Sequence, residues 1–291
     1  MNRRRFLHHS GLALAASAMA PHLSFSATRL QGFGIQLYTL RNIMQEDFRG
    51  PLQKLKGMGY TQIESFPSQK GHFWGLGAKE FCHIARDMGL ETVSTHIGLG
   101  KPTPQENWAT VSNGLEAFAQ SFAEAGGKYL VCPHLDKSVR ENLEGYKRVA
   151  ADLNKAGEIC KKAGIGFAYH NHAFEFETLE GQIPYQVLLK ETDPELVKME
   201  LDLYWAAKAG QNVPALLESH PNRFPLVHVK DMGSPDPTTV EVGSGTLDFA
   251  AMFSKAGKAG IKYFLVEQDH CPGNPLDSIK KSADYLKKFE F

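Results

Sequence analysis

After residue 30 the chain alternates short apolar runs with longer amphipathic stretches eight times, and that count limits the folds open to it. The apolar runs are Gly34–Tyr38, Thr61–Ser65, Glu91–His96, Tyr129–Cys132, Gly166–Tyr169, Val197–Leu201, Pro225–His228 and Tyr263–Val266. Their starts lie 27 to 38 residues apart, the length of one strand-plus-helix unit. Runs such as Phe264-Leu265-Val266 are continuously apolar, as strands covered on both faces are. Between them, apolar spacing near 3.6 predicts helices, among them Asn107–Ala125, Arg140–Ala163, Phe249–Ala259 and Leu276–Phe289. Several end in glycine just before the next strand, at Gly57 and Gly59, Gly89, Gly126 and Gly127, Gly164 and Gly260. The pattern predicts an α/β fold, a single (β/α)8 TIM barrel, with an open doubly wound sheet as its rival. A barrel of roughly 250 residues fits within the 291 available.

The start of the chain, Asn2-Arg3-Arg4-Arg5-Phe6-Leu7 and then the small, apolar run Gly11–Ala20, matches a twin-arginine export signal. The run is too short and too Ala-rich to span a bilayer. The expected organisation is a signal peptide over residues 1–27 and one barrel domain over 28–291. The expected destination is the periplasm or the medium, with the twin-arginine machinery as a partner and no membrane attachment afterwards. Basic and acidic residues balance at 32 each, and residues 1–27 hold three arginines and no acid, so the remainder is acidic by three. A nucleic-acid partner normally demands a basic excess, so none is expected. Cys82, Cys132, Cys160 and Cys271 are far apart and form no CxxC pair, which argues against a thiolate metal site or a redox dithiol. A homo-oligomer stays open.

In a closed barrel the C-terminal strand ends converge on one mouth. Here they carry ligand-type residues: Gln36, Glu64 and His96 from the first three strands, and Tyr169-His170-Asn171-His172 from the fifth. The sixth, seventh and eighth strands bring Glu200-Leu201-Asp202, His228-Val229-Lys230-Asp231 and Glu267-Gln268-Asp269. One His or Asp at a strand end usually satisfies a loop hydrogen bond, whereas suitable residues on four successive strands point to a metal.

Gly34-Ile35-Gln36-Leu37-Tyr38-Thr39, and Pro225-Leu226-Val227-His228-Val229-Lys230-Asp231 followed by Gly243-Ser244-Gly245-Thr246-Leu247-Asp248, resemble the first and seventh strands of the xylose-isomerase-like sugar phosphate isomerase and epimerase superfamily. The resemblance runs over nearly the whole chain after residue 27. It implies one metal ligand from each of strands five to eight, which fall on His170, Asp202, His228 and Glu267. The family more often has Glu at the first of these; His170 resembles a subgroup marked by Tyr-His-Asn-His, and Glu175 or His172 stand as alternatives. Two imidazoles and two carboxylates neutralise a dication, where three carboxylates leave an excess negative charge, so the ion held here is the stronger Lewis acid. Mixed N,O ligation suits Mn²⁺ first, then Co²⁺, Zn²⁺ or Fe²⁺, with Mg²⁺ least suited.

Around that ion, His172, Glu267 and Lys230 are the expected catalytic residues, with His172 a general base or a substrate contact and Lys230 a donor to a substrate oxygen or a partner of a carboxylate. Gln36, Glu64, His96, His172, Trp205 and Lys230 are expected to line a sugar pocket, with hydrogen bonding at the barrel mouth the alternative for the first three. Phe73 and Trp74 are further candidates for ring stacking. Glu200 is expected to share the inward face of Asp202 as a ligand, a support for an imidazole or a partner of Lys230. Gly243 and Gly245 are expected to bring backbone close to the site. The implied activity is that of a metal-dependent isomerase or epimerase acting on a small carbohydrate, with proton abstraction next to a polarised oxygen. His170 in place of a strand-five Glu leaves two-Glu epimerisation in doubt. It gives equal room to a lyase, related to inosose dehydratase or to enzymes that open 3-keto-glycosides. Export favours an unphosphorylated sugar, keto-sugar or polyol. Apurinic endonucleases share the superfamily but need further His and Glu ligands for three metals; a non-catalytic sugar-binding barrel and a hydrolase of another kind are the remaining competitors.

Overall fold

The computed structural model describes residues 29–100 and 108–291; the twin-arginine segment expected over residues 1–27 lies outside them. Eight strands close a parallel barrel in chain order: β1 (Gly34–Gln36), β2 (Gln62–Ser65), β3 (Glu91–His96), β4 (Tyr129–Cys132), β5 (Gly166–His170), β6 (Val197–Asp202), β7 (Leu226–Val229) and β8 (Tyr263–Val266). Each strand pairs with its neighbour in sequence, and β1 pairs with β8. This is the (β/α)8 barrel the sequence predicts, and closure removes the open-sheet alternative.

The strand period of two sorts the interior into tiers. Ala168 and His170, Leu226 and His228, and Leu265 and Glu267 are each two residues apart, so each pair faces the same side of its strand. Ala168, Leu226 and Leu265 join Val93 and Val131 in an apolar plug at the bottom of the barrel. The polar member of each pair then sits one tier higher, towards the mouth. Outside the strands, side chains such as Ile35, Ile63, Phe167 and Val227 pack into the layer shared with the helices.

Several element ends differ from the sequence-based expectation, each for a local reason. β1 stops at Gln36 because the Gln36 side chain accepts a hydrogen bond from the Tyr38 amide (2.9 Å) and starts a single 3₁₀ turn over Leu37–Leu40. The helix expected from Asn107 begins at Leu115: Thr110 and Asn113 pair across a tight turn, and Gly114 is left-handed at φ 68°. The helix expected over Phe249–Ala259 breaks into Phe249–Phe253 and Ala256–Ala259, where the Ser254 hydroxyl takes the Ala251 carbonyl (2.7 Å). The long helix Leu143–Ala163 ends as expected on left-handed Gly164. Among the described residues, no helix is long and apolar enough to cross a membrane, and all four cysteines are unpaired.

Candidate metal centre

At the mouth the register brings His170 beside Glu200 and Asp202 beside His228. His170, Asp202, His228 and Glu267 converge, all buried, with one donor atom of each within 4.8 Å of the other three. His170 Nε2 lies 3.3 Å from Asp202 Oδ2, and His228 Nδ1 lies 2.8 Å from Glu267 Oε2. The other Asp202 oxygen caps the helix Leu203–Lys208 by accepting from the Trp205 amide (2.8 Å), so helix entry fixes the carboxylate. Asn171 anchors the same turn through the Asp202 amide (3.0 Å).

His170 shows that these donors fit a cation. Its Nδ1 faces the Pro133 carbonyl at 3.1 Å, and a carbonyl only accepts, so Nδ1 carries the hydrogen. Burial, and then the positive His228 nearby, lower its pKa to about 4, so the ring is neutral and Nε2 is bare. A bare nitrogen and a carboxylate oxygen facing each other at 3.3 Å repel unless a positive charge lies with them. Lys230 brings one positive charge to the site: its ammonium reaches Asp202 (3.1 Å), Glu267 (2.8 Å) and Asp269 (3.0 Å). Against the cost of burial, Lys230 and the imidazoles hold Asp202 at about 2 and Glu267 well below the ordinary carboxylate range, while the three carboxylates hold Lys230 well above the usual amine value.

A second tier lies beneath. Glu64, His96, Glu200 and His228 form another buried quartet within the same 4.8 Å limit, sharing His228 with the first. His228 Nε2 is 2.8 Å from Glu64 and 3.3 Å from Glu200; His96 Nε2 is 3.0 Å from Glu64 and 3.6 Å from Glu200. Burial opposes charge on His96, yet Glu64 and Glu200 raise it to about 9; burial and then Glu64 push Glu200 up to about 7.

The cleft above has a volume of about 400 Å³ and is lined by His96, His134, His170, His172, Lys230, Glu267 and Asp269, facing Tyr38, Phe66, Pro67 and Pro133. Gln36 and Glu64, expected to line the pocket, are fully buried below it, with Gln36 bonded to Glu64 at 2.6 Å. Trp205 stands behind the lining, its ring 5.5 Å from His172 and 5.8 Å from the Lys230 ammonium. Phe73 and Trp74 lie elsewhere, stacked with Phe81 in a buried aromatic cluster. Glu175 does not reach the metal donors: it accepts from the Tyr169 hydroxyl (2.5 Å) and the His172 amide (2.8 Å), which orients His172. Burial, then His170, lowers the His172 pKa to about 2, so the ring stands neutral at the cleft. Gly243 and Gly245 bring backbone close to the Asp231 carboxylate and not to the cation donors: their amides reach one of its oxygens at 2.9 Å each. Missing from the sequence reading is His134, two residues past β4; the strand-end rule that located the others would have located it.

Comparisons with known proteins match this barrel fold. A family model described as the xylose isomerase-like TIM barrel matches residues 52–289, and the chain belongs to that family. A sugar phosphate isomerase/epimerase structure from Parabacteroides distasonis is 30% identical, with a TM-score of 0.74, over 91% of this chain and 95% of that one. An inosose dehydratase of Clostridium beijerinckii is 26% identical over half of this chain, which spans 55% of that relative's length. A structure of the IolI protein with a bound zinc atom shares the fold at 15% identity and a TM-score of 0.66, over 87% of this chain and 95% of that one.

Proposed function

We propose that this member of the xylose isomerase-like family is an exported enzyme that holds a divalent metal on His170, Asp202, His228 and Glu267. Its substrate is an unphosphorylated sugar, keto-sugar or polyol, from which it removes a proton next to a polarised oxygen, as isomerases and epimerases do. The observation that carries the reading is the bare His170 Nε2 facing Asp202 Oδ2, beside two further buried donors. The ion, when bound, polarises a carbonyl or hydroxyl oxygen. Mn²⁺ remains the preferred ion, given N,O ligation by two imidazoles and two carboxylates.

The remaining steps belong to side chains. His172 lines the cleft with a neutral ring whose backbone Glu175 holds, so it is the group assigned to accept the proton. Lys230 sits between Glu267 (2.8 Å) and Asp269 (3.0 Å) at the cleft, where its ammonium would donate an N–H to a substrate oxygen and Glu267 would help hold the ion. Tyr38, Phe66 and Pro67 offer an apolar wall to the C–H face of a sugar ring. The arginines near the mouth are committed elsewhere, which supports a substrate without phosphate. Arg41 donates to the Tyr38 and Asp269 carbonyls, and Arg140 lies over Phe174 and bonds the Leu135 carbonyl. Export is supported by the Arg3-Arg4-Arg5 start.

The similarity to inosose dehydratases favours a second reading, a lyase in which the same proton removal expels water or an aglycone. The deciding experiment measures bound metal, then incubates the loaded protein with 3-keto-glucosides, inososes and free ketoses in D₂O. Deuterium entering recovered sugar supports the isomerase or epimerase, and release of water or aglycone supports the lyase. Metal-loaded protein that binds these sugars without exchanging any proton refutes both.

A further inference from the structure

We propose that the lower quartet, Glu64, His96, Glu200 and His228, is a second divalent-cation site, joined to the upper one through the His228 ring, which would release both N–H protons to solvent and bridge the two ions as an imidazolate. The four side chains come from β2, β3, β6 and β7, and each is buried. Their N···O separations are 2.8, 3.0, 3.3 and 3.6 Å. Four ligands at 2.0–2.1 Å in a tetrahedron lie about 3.3 Å apart, the centre of that spread. The two carboxylates already balance a dication, and ligation by carboxylate, imidazole and a shared imidazolate suits a first-row transition metal.

An independent observation singles out Glu200. It has no exposed surface, and neither of its carboxylate oxygens accepts a well-aligned hydrogen bond, although His228 and His96 Nε2 stand 3.3 and 3.6 Å from one of them; Glu64 Oε2 is also without a donor. A buried carboxylate without well-aligned donors is costly, and a cation among these oxygens removes the cost. His228 is aimed to serve both tiers, with Nδ1 towards Glu267 above and Nε2 towards Glu64 and Glu200 below. Gln36 fixes the lower carboxylate from the side by donating to Glu64 Oε1 at 2.6 Å.

The test is metal stoichiometry on the full chain, loaded with Zn²⁺ or Mn²⁺, freed of excess ion and measured by elemental analysis. Two equivalents per chain are expected for the parent protein. One is expected for Glu200→Gln and for Glu64→Gln, which keep the upper donors, and one for Asp202→Asn, which keeps the lower ones. Electron paramagnetic resonance of the Mn²⁺-loaded parent is expected to show two coupled ions, and either Glu variant an isolated one. A parent that saturates at one equivalent overturns the second site and leaves the proposed function standing. Two equivalents retained in both Glu variants also overturn it, because the second ion then lies elsewhere. A parent that binds no metal overturns this inference and the proposed function together.

Discussion

Replacing Asp231 should unfasten the loop over residues 241–247, and the structure sets the size of the effect. One Asp231 oxygen accepts from the Gly243 and Gly245 amides at 2.9 Å each, and the other from the Leu247 amide at 3.2 Å and the Met232 amide at 2.8 Å. The side chain is buried. A hydrogen bond to a charged group contributes about 1.5–3 kcal/mol, and the exposed loop amides regain water, so the low end applies to the three loop bonds. Asp231→Ala should therefore cost about 4 kcal/mol, a fall in Tm of roughly 10 °C for a chain of this size. Asp231→Asn should lose more than half as much, because its NH₂ must face a pair of donors. Urea denaturation followed by circular dichroism measures both. If Asp231→Ala costs less than about 1 kcal/mol with an unchanged urea slope, the carboxylate does not hold the loop.

Asp202→Asn should keep the helix cap to Trp205 while removing ligand charge, so metal affinity at the upper site falls by at least ~100-fold with the circular dichroism spectrum unchanged; unchanged affinity removes Asp202 from the ligand set. Burial pushes the Glu175 pKa up to about 7, against its hydrogen bonds from Tyr169 and His172, whereas an unfolded Glu titrates near 4.5. The folded value is the higher one, so the contribution to stability is complete below pH 4.5 and is lost as pH rises through 7, by about 3 kcal/mol. Stability of Glu175→Gln measured from pH 5 to 8 should lack that decline, and parallel curves for the two proteins refute the assignment. Gly157→Ala should destabilise despite alanine's better helix propensity, because the added Cβ would stand 2.5 Å from the Leu196 carbonyl oxygen; a rise in Tm contradicts that packing.

The fold was legible because its signal is periodic. Eight buried strands must each read as an apolar run, and the helices that cover them must carry an apolar face, so the barrel shows without any long-range information. Asp202, His228 and Glu267 were legible for a related reason: strand ends in a closed barrel share one mouth, and alternation places every second side chain inside. Gln36, Glu64, Trp205 and Glu175 show where that logic stops. Residue type and strand end do not say whether a side chain stands in the cleft, beneath it or behind it, since depth depends on how far each strand is staggered around the barrel. Asp231 and Gly245 are 14 residues apart, and only the closed structure puts a carboxylate where that loop's amides point. The sequence alone thus determined the architecture and the ring of candidate ligands, through spacing that any βα unit must obey. The tertiary structure decided the two tiers that share His228, the exposed face of His172 and the partners of Lys230, because these depend on distances between strands that no local pattern encodes.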